Sequence, residues 1–204
     1  MTTTPFDWDA YYEAMSGRPL RKNLVAALEH WGDRPPGNAV DLGAGDGLET
    51  RELASRGWQV TAIDGHADLS TQLAGVEGVV AQHADFAQIT ELPASDLVVA
   101  AFSLPFCPPA HFDPLWGAIR TCLRPGGILA VEFFGVRDKW AGTPGMTFHT
   151  HNDVERMLWG LETLLLDEDE RDGRAFDGPK HWHVFHVIAR CPEGERHSPE
   201  PSTD

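Results

Sequence analysis

A run of glycines and three carboxylates are the residues in this chain best suited to hold a polar ligand. Asp41-Leu-Gly43-Ala44-Gly45-Asp-Gly47 follows the short apolar run Ala39-Val40. Glycines at such a bend let the backbone approach a bound group and turn into a helix, and an acid ahead of them accepts hydrogen bonds from an ammonium or hydroxyl. Asp64 comes about 20 residues later, where a carboxylate accepts both hydroxyls of a ribose. Asp85-Phe86 adds a carboxylate for an exocyclic amine and a ring for stacking. A pyrophosphate reader is disfavoured: G-x-G-x-x-G needs glycine at its sixth position, which is Leu48, and the third glycine stands one step early at Gly47.

Histidines form a second group. His149 and His151 precede a helical pattern, while His181 and His183 share one face of a strand pattern and His186 takes the other. With no Cys or carboxylate at ligand spacing beside them, no metal site is expected. They suit a polar acceptor pocket or a structural role, and His149, His151 and His183 are the candidates for a general base where an acceptor arrives protonated.

These groups need strand ends gathered at one edge of a sheet. Leu20, Leu24, Val25, Leu28 and Trp31 follow Gly17-Arg18-Pro19 at helical spacing, with Pro19 expected in the first turn. Strands are read at Ala39-Val40, at 58–63 ending on Asp64, at 79–82, at 96–102 and at 128–134. Phe112, Leu115, Trp116, Ile119 and Leu123 supply a crossover helix, stopped by Pro125-Gly-Gly127. The alternation implies an α/β doubly wound, mostly parallel sheet. A helix over 152–159 capped by Asn152 comes next. Strands at 161–167 and 181–189, joined by a turn over 171–178, then read as an antiparallel C-terminal edge hairpin.

The 204 residues suit one domain, taken as 1–191, and the Pro, Ser, Glu and Asp-rich segment 192–204 reads as a disordered tail. A formal net charge of −15 opposes nucleic acids and anionic membrane surfaces. No apolar run approaches the roughly 20 residues that span a bilayer, and the first residues have no basic flank or apolar core, so the chain is expected in the cytoplasm. Cys107, Cys122 and Cys191 lack zinc or disulfide spacing and fit a reducing compartment. Oligomeric state is not addressed by any of these features.

Over about residues 35 to 135 the chain resembles the class I S-adenosylmethionine-dependent methyltransferases, whose D/E-x-G-x-G-x-G loop, second-strand acid and third-strand acid match Asp41 to Gly47, Asp64 and Asp85. The resemblance implies a Rossmann-like fold and S-adenosyl-L-methionine as cofactor. It implies that Asp41, Gly43, Ala44 and Gly45 lie under the amino acid moiety and Asp64, with Gly65 and His66, at the ribose. Asp85 and Phe86 would meet the adenine, and Ala101, Phe102 and Ser103 would pack the cofactor at the fourth strand's end. The opening Trp8-Asp-Ala-Tyr-Tyr12 and Gly17-Arg18-Pro19, and the ending Trp182-His-Val-Phe-His-Val-Ile-Ala-Arg190, look like the tellurite-resistance-type small-molecule methyltransferases. That similarity makes 1–34 a helical cap, with Tyr12 and Arg18 over the cofactor and Arg18 neutralising its carboxylate. Trp8, Trp140, Phe148 and the histidines would then line a pocket for a small-molecule acceptor. The alternatives are a non-catalytic adenosine-ligand binding module, or a methyltransferase acting on a peptide or nucleic-acid base. The Asn/Asp-Pro-Pro-Tyr loop of base amino methyltransferases is not matched by Phe102-Ser-Leu-Pro-Phe106, and a nicotinamide-dependent oxidoreductase is disfavoured by Leu48.

Overall fold

The computed structural model describes residues 7–15 and 17–194. Parallel strands β1 (Asn38–Leu42), β2 (Gln59–Asp64), β3 (Val79–His83), β4 (Ser95–Ala100) and β5 (Leu123–Phe134) alternate with helices. The helices are α1 (Trp8–Ala14) and α2 (Lys22–Trp31) ahead of the sheet, then α3 (Leu48–Ser55), α4 (Leu69–Gln72), α5 (Pro109–Cys122) and α6 (His151–Met157). The hairpin β6 (Glu162–Ala175) and β7 (Gly178–Arg190) completes one sheet in the order β3-β2-β1-β4-β5-β7-β6. Only the β5–β7 and β6–β7 pairings are antiparallel.

Side-chain alternation along the buried strands divides the core into two layers. Val40, Val98, Leu129 and Val131 pack with Phe112, Leu115 and Ile119 of α5 and Val154 of α6. Ala39, Leu97, Val99 and Ile128 pack with Leu24 and Ala27 of α2 and Leu53 of α3. Complete burial of a Val, Leu or Ile side chain contributes roughly 1.5–3 kcal/mol, so strands apolar on both faces are held in the sheet interior. Asn23 ties α2 to the sheet, its Nδ2 donating to Val131 O at 3.0 Å.

Strand order reverses between β1 and β4, which opens a crevice at the carboxyl ends of the parallel strands. The hairpin reaches past that edge. Pairing of β5 with β7 stops at Phe134↔Val184, whereas β6 and β7 stay paired to Ala175↔Gly178. The ribbon beyond Val184 therefore overhangs the crevice.

Four local expectations change. Helix α2 starts at Lys22 with Arg21 as its cap, leaving Pro19 outside the first turn, because Glu49 accepts from Arg21 N and draws the preceding segment out extended. Strand β5 starts at Leu123, ahead of Pro125-Gly-Gly127, because Gly126 N donates to Cys191 O and Cys191 N to Gly127 O, so pairing runs through the expected stop. Thr150, not Asn152, caps α6, in a reciprocal box with Asp153. The hairpin turn is only Phe176-Asp177, so Arg171 and Arg174 are strand residues. Positions 195–204 of the expected tail lie outside the described residues, and no described helix is long and apolar enough to cross a membrane.

Candidate functional site

A cavity of about 780 Å³ occupies the crevice. This falls in the range of small-molecule sites. Its floor is the loop after β1. Gly43 and Gly45 have φ of +74° and +56°, a region that side chains other than glycine rarely adopt. A Cβ on Gly43 would lie 2.2 Å from Ser103 Cβ, so the first glycine is what lets Ser103 reach over and donate to Leu42 O at 2.5 Å. A Cβ on Gly45 would lie 2.9 Å from the Tyr12 ring, which covers the loop from α1.

Asp64 stands at the tip of β2, buried, with one carboxylate oxygen accepting from Gly45 N at 2.8 Å and the other from His66 N at 2.7 Å. A carboxylate has about four acceptor positions, so both oxygens keep capacity toward the cavity. Asp85 follows β3, accepts from Ala87 N at 2.8 Å, and lines the cavity beside Phe86. Asp41 is buried at the end of β1. Its carboxyl is pushed up to about 7, because burial outweighs the 2.6 Å hydrogen bond from Thr50.

The N-terminal segment closes one side. His66 pairs with Asp9 of α1 at 3.0 Å and meets the Tyr12 ring edge-on, while Trp8 packs on Phe106 at 4.7 Å. Burial first, then the Asp64 charge, raises the Tyr12 hydroxyl well above its ordinary value. Arg18 lines the cavity with its charge already committed: its guanidinium is 2.5 Å from Glu49 and 3.2 Å from Asp46. Burial is the largest single influence and opposes that charge, but the Glu49 hydrogen bond and the Glu49 and Asp46 charges together keep Arg18 raised. The expectation had this charge free for a cofactor carboxylate, whereas Glu49 and Asp46 already meet it.

All fourteen residues expected at the cofactor line this one cavity: Tyr12, Arg18, Asp41, Gly43, Ala44, Gly45, Asp64, Gly65, His66, Asp85, Phe86, Ala101, Phe102 and Ser103. Phe102 alone among the described non-glycine residues has positive φ, at 58°, with its N–H donating to buried Glu132 at 3.2 Å. Strain of this kind persists where surrounding contacts over-determine it. Here those contacts turn the ring toward the cavity.

The three histidines read as candidate bases lie elsewhere. His149 is buried against Phe112 and Phe133, and burial drops it to about 4. His183 is fully buried against Gly135, held between Arg137 N at 3.1 Å and Glu168 at 2.8 Å. His151 pairs with the same Glu168 at 2.8 Å on the outer surface. None lines the cavity: Glu168 of β6 holds His151 and His183, and His149 is packed into the core by Phe112 and Phe133. Of the expected pocket aromatics, Trp8 and Trp140 line it, whereas Phe148 does not.

Residues 40–129 match the family model described as a methyltransferase domain. This segment is a methyltransferase domain. Among relatives, trans-aconitate 2-methyltransferase of Acidovorax sp. (strain JS42) is 33% identical over 132 residues, covering 62% of this chain and 49% of that protein. The chain thus spans about half the length of that curated relative. In fold it is similar to TehB from Haemophilus influenzae, with a TM-score of 0.72 and 14% identity over 90% of this chain and 66% of the other. It is also similar to Burkholderia thailandensis 1,6-didemethyltoxoflavin-N1-methyltransferase, solved with 1,6-didemethyltoxoflavin and S-adenosylhomocysteine. That match has a TM-score of 0.63 and 18% identity over 90% and 84% of the chains.

In the methyltransferase domain and its flanks, several cavity residues escaped the sequence reading: Glu49 near the loop, Arg21 ahead of α2 with its guanidinium over Phe102, and Arg171, Arg174 and Phe176 on the overhanging ribbon. Asp177-Gly178 was the available signal. Asp-Gly between two alternating runs marks a tight hairpin, which would have extended β6 through both arginines.

Proposed function

We propose that the cavity binds S-adenosylmethionine and that the chain transfers its methyl group to a small-molecule acceptor. The observation that carries the reading is Asp64, a buried strand-end carboxylate with open acceptor capacity directly beside a glycine loop that holds the backbone close. On this reading Asp64 accepts the ribose hydroxyls, Asp85 the adenine amine, and Phe86 offers its ring to the base. Gly43 and Gly45 keep the floor low beneath the amino acid moiety, with Asp41 below it. Of the expected cap over 1–34 in a domain spanning 1–191, residues 1–6 and 16 lie outside the described residues, and the described remainder acts as the cap, with Tyr12 over the loop. The relatives' naming as methyltransferases of a small acid supports a small acceptor.

When bound, the cofactor supplies a methyl group already made electrophilic by its sulfonium. The protein then has to hold the acceptor about 3–3.5 Å away, in line, and exclude water. The aromatic side chains Phe102, Phe106, Trp140 and Trp182 supply a dry wall for that purpose. The three candidate base histidines lie outside the cavity, and His66 within it is paired with Asp9 on the glycine-loop side, so an acceptor that arrives ionised or is a soft nucleophile suits this site.

Calorimetry with S-adenosylhomocysteine is expected to give one site per chain, with no binding of NAD. Transfer of labelled methyl to at least one member of a panel of small acids, thiols and oxyanions is expected to follow. Tight NAD binding without S-adenosylhomocysteine binding would overturn the cofactor assignment. Failure to methylate any member of the panel would favour a non-catalytic binding module.

A further inference from the structure

Charge in this cavity is divided between its two ends. Asp41, Asp46, Glu49, Asp64 and Asp85 surround the glycine loop, and Arg18 there is answered by Glu49 and Asp46. The opposite end carries arginines. Arg21 lies 4.9 Å over the Phe102 ring, and its Nη2 donates to the Tyr11 hydroxyl at 3.2 Å. Its Nε is buried without a hydrogen-bond partner, and the guanidinium forms no ion pair among the described residues. Buried charges are normally paired, since leaving one unpaired carries the full cost of its lost hydration. Half-buried Arg21 thus has no counter-charge among the described residues, whereas Arg18 has Glu49 and Lys180 has Asp138 at 3.0 Å.

Two further arginines reach the same end from the overhanging ribbon. Arg171, itself exposed, sits 5.9 Å over the Trp182 ring and pairs with half-buried Asp169, a contact that solvent weakens. Arg174 lines the cavity and forms no ion pair among the described residues. Contacts join these groups into one wall: Phe102 meets Trp182 at 6.4 Å, and Tyr11 beside Arg21 meets Phe176 at 6.2 Å. A chain with net charge of −15 thus gathers at one end of this cavity two arginines without an ion pair among the described residues and a third whose pair is weak.

We propose that this end is the acceptor subsite and that the acceptor is an anion with a flat or unsaturated body, its carboxylate or equivalent oxyanion taken by Arg21. Arg171 and Arg174 close on it from the ribbon. As an acceptor subsite the inference rests on the methyltransferase reading, and it adds the acceptor's chemical class. Guanidinium is suited to the role because its planar fork matches a carboxylate in two hydrogen bonds. The Phe102 and Trp182 rings offer flat apolar surface to the rest of the molecule. An anionic acceptor also arrives deprotonated, in keeping with the three candidate base histidines lying outside the cavity.

The test is calorimetry of the full chain with benzoate, trans-cinnamate and trans-aconitate, each with and without saturating S-adenosylhomocysteine, against benzamide and cinnamamide as uncharged counterparts. At least one carboxylate is expected to bind, with its amide weaker by about tenfold or more. Arg21→Gln is expected to weaken that carboxylate by about tenfold or more while S-adenosylhomocysteine affinity is unchanged. Arg174→Gln, an exposed change that does not threaten folding, is expected to act in the same direction to a smaller extent. Absence of carboxylate binding, equal binding of acid and amide, or Arg21→Gln weakening S-adenosylhomocysteine equally overturns the inference. A wild-type chain that takes a carboxylate but never S-adenosylhomocysteine would instead sink the methyltransferase reading and leave the anion site standing.

Discussion

The cavity has two walls built on different principles. The wall formed by β1 to β3 is made of backbone and carboxylates within 45 residues of chain, from Asp41 to Asp85, each at the tip of a parallel strand or in the turn after it. The wall formed by the ribbon is made of long side chains: Arg171 and Arg174 on β6 and Trp182 on β7 meet Arg21 and Phe102 from distant parts of the sequence. The first is fixed by main-chain geometry and tolerates little. The second is adjustable, because a two-stranded overhang can change its side chains without disturbing the parallel sheet. Related chains that keep one donor and vary the acceptor would need this division.

The sharpest way to break the comparison is at Gly43. Alanine there places a Cβ 2.2 Å from Ser103 Cβ at a φ of +74°, so both contact and backbone strain oppose it. We expect a loss of about 3 kcal/mol in denaturant unfolding. Gly43→Ala with Ser103→Gly should recover the contact part and leave the strain part. A single variant as stable as wild type would mean that the first wall is no more rigid than the second.

Asp64→Ala comes next. Losing a carboxylate that accepts ligand hydroxyls should weaken S-adenosylhomocysteine by about a hundredfold. Arg174→Gln on the other wall should leave that affinity within about twofold. If both variants weaken the cofactor alike, the walls share one ligand and the division is wrong.

That asymmetry also governs what could be read in the sequence. Asp41 and Asp64 were legible because the first acid after a buried apolar run marks the strand tip, and Asp85 because it follows the third strand, although that edge strand is not buried. Gly43 and Gly45 were legible because few other residues suit the bend. Arg21 and Arg174 were not, since a basic residue near a helix start or a turn is ordinarily solvated, and nothing local says that a ribbon 150 residues away will cover it. The histidines misled for the same reason: Glu168, which draws His183 and His151 outward, belongs to a strand that the sequence reading ended at Asp167. Arg18 lines the cavity, but its partner Glu49, in the first turn of α3, was missed, so its charge was taken as available.

A smaller effect sharpens the comparison at Asp41, the most buried acid of the first wall. Its carboxyl titrates near 7, so it is largely neutral at pH 6 and largely ionised at pH 8. The ionised form attracts the cofactor's ammonium and sulfonium, so S-adenosylmethionine affinity should rise up to about tenfold across that interval. Asp41→Asn should flatten the dependence. For folding alone the sign is opposite. The folded group holds its proton above the unfolded value, so stability falls as pH rises from the ordinary carboxylate range through about 7.

The smallest expected effect concerns His149, behind the second wall. Burial holds its folded pKa near 4, and its Nε2 is buried without a partner. The unfolded chain takes up a proton first as pH falls through the ordinary histidine value, so the native state loses stability between about 6.5 and 4. The loss should be about 1 kcal/mol at pH 5.5. His149→Phe, packed by Phe112 and Phe133, should remove that dependence as a difference between paired unfolding curves at pH 7.5 and 5.5. The pH profile of methyl transfer should be the same in both proteins. A base role would do the reverse, lowering kcat while leaving the stability slope unchanged. That outcome would put proton transfer in a wall that, by its geometry, supplies only charge and shape.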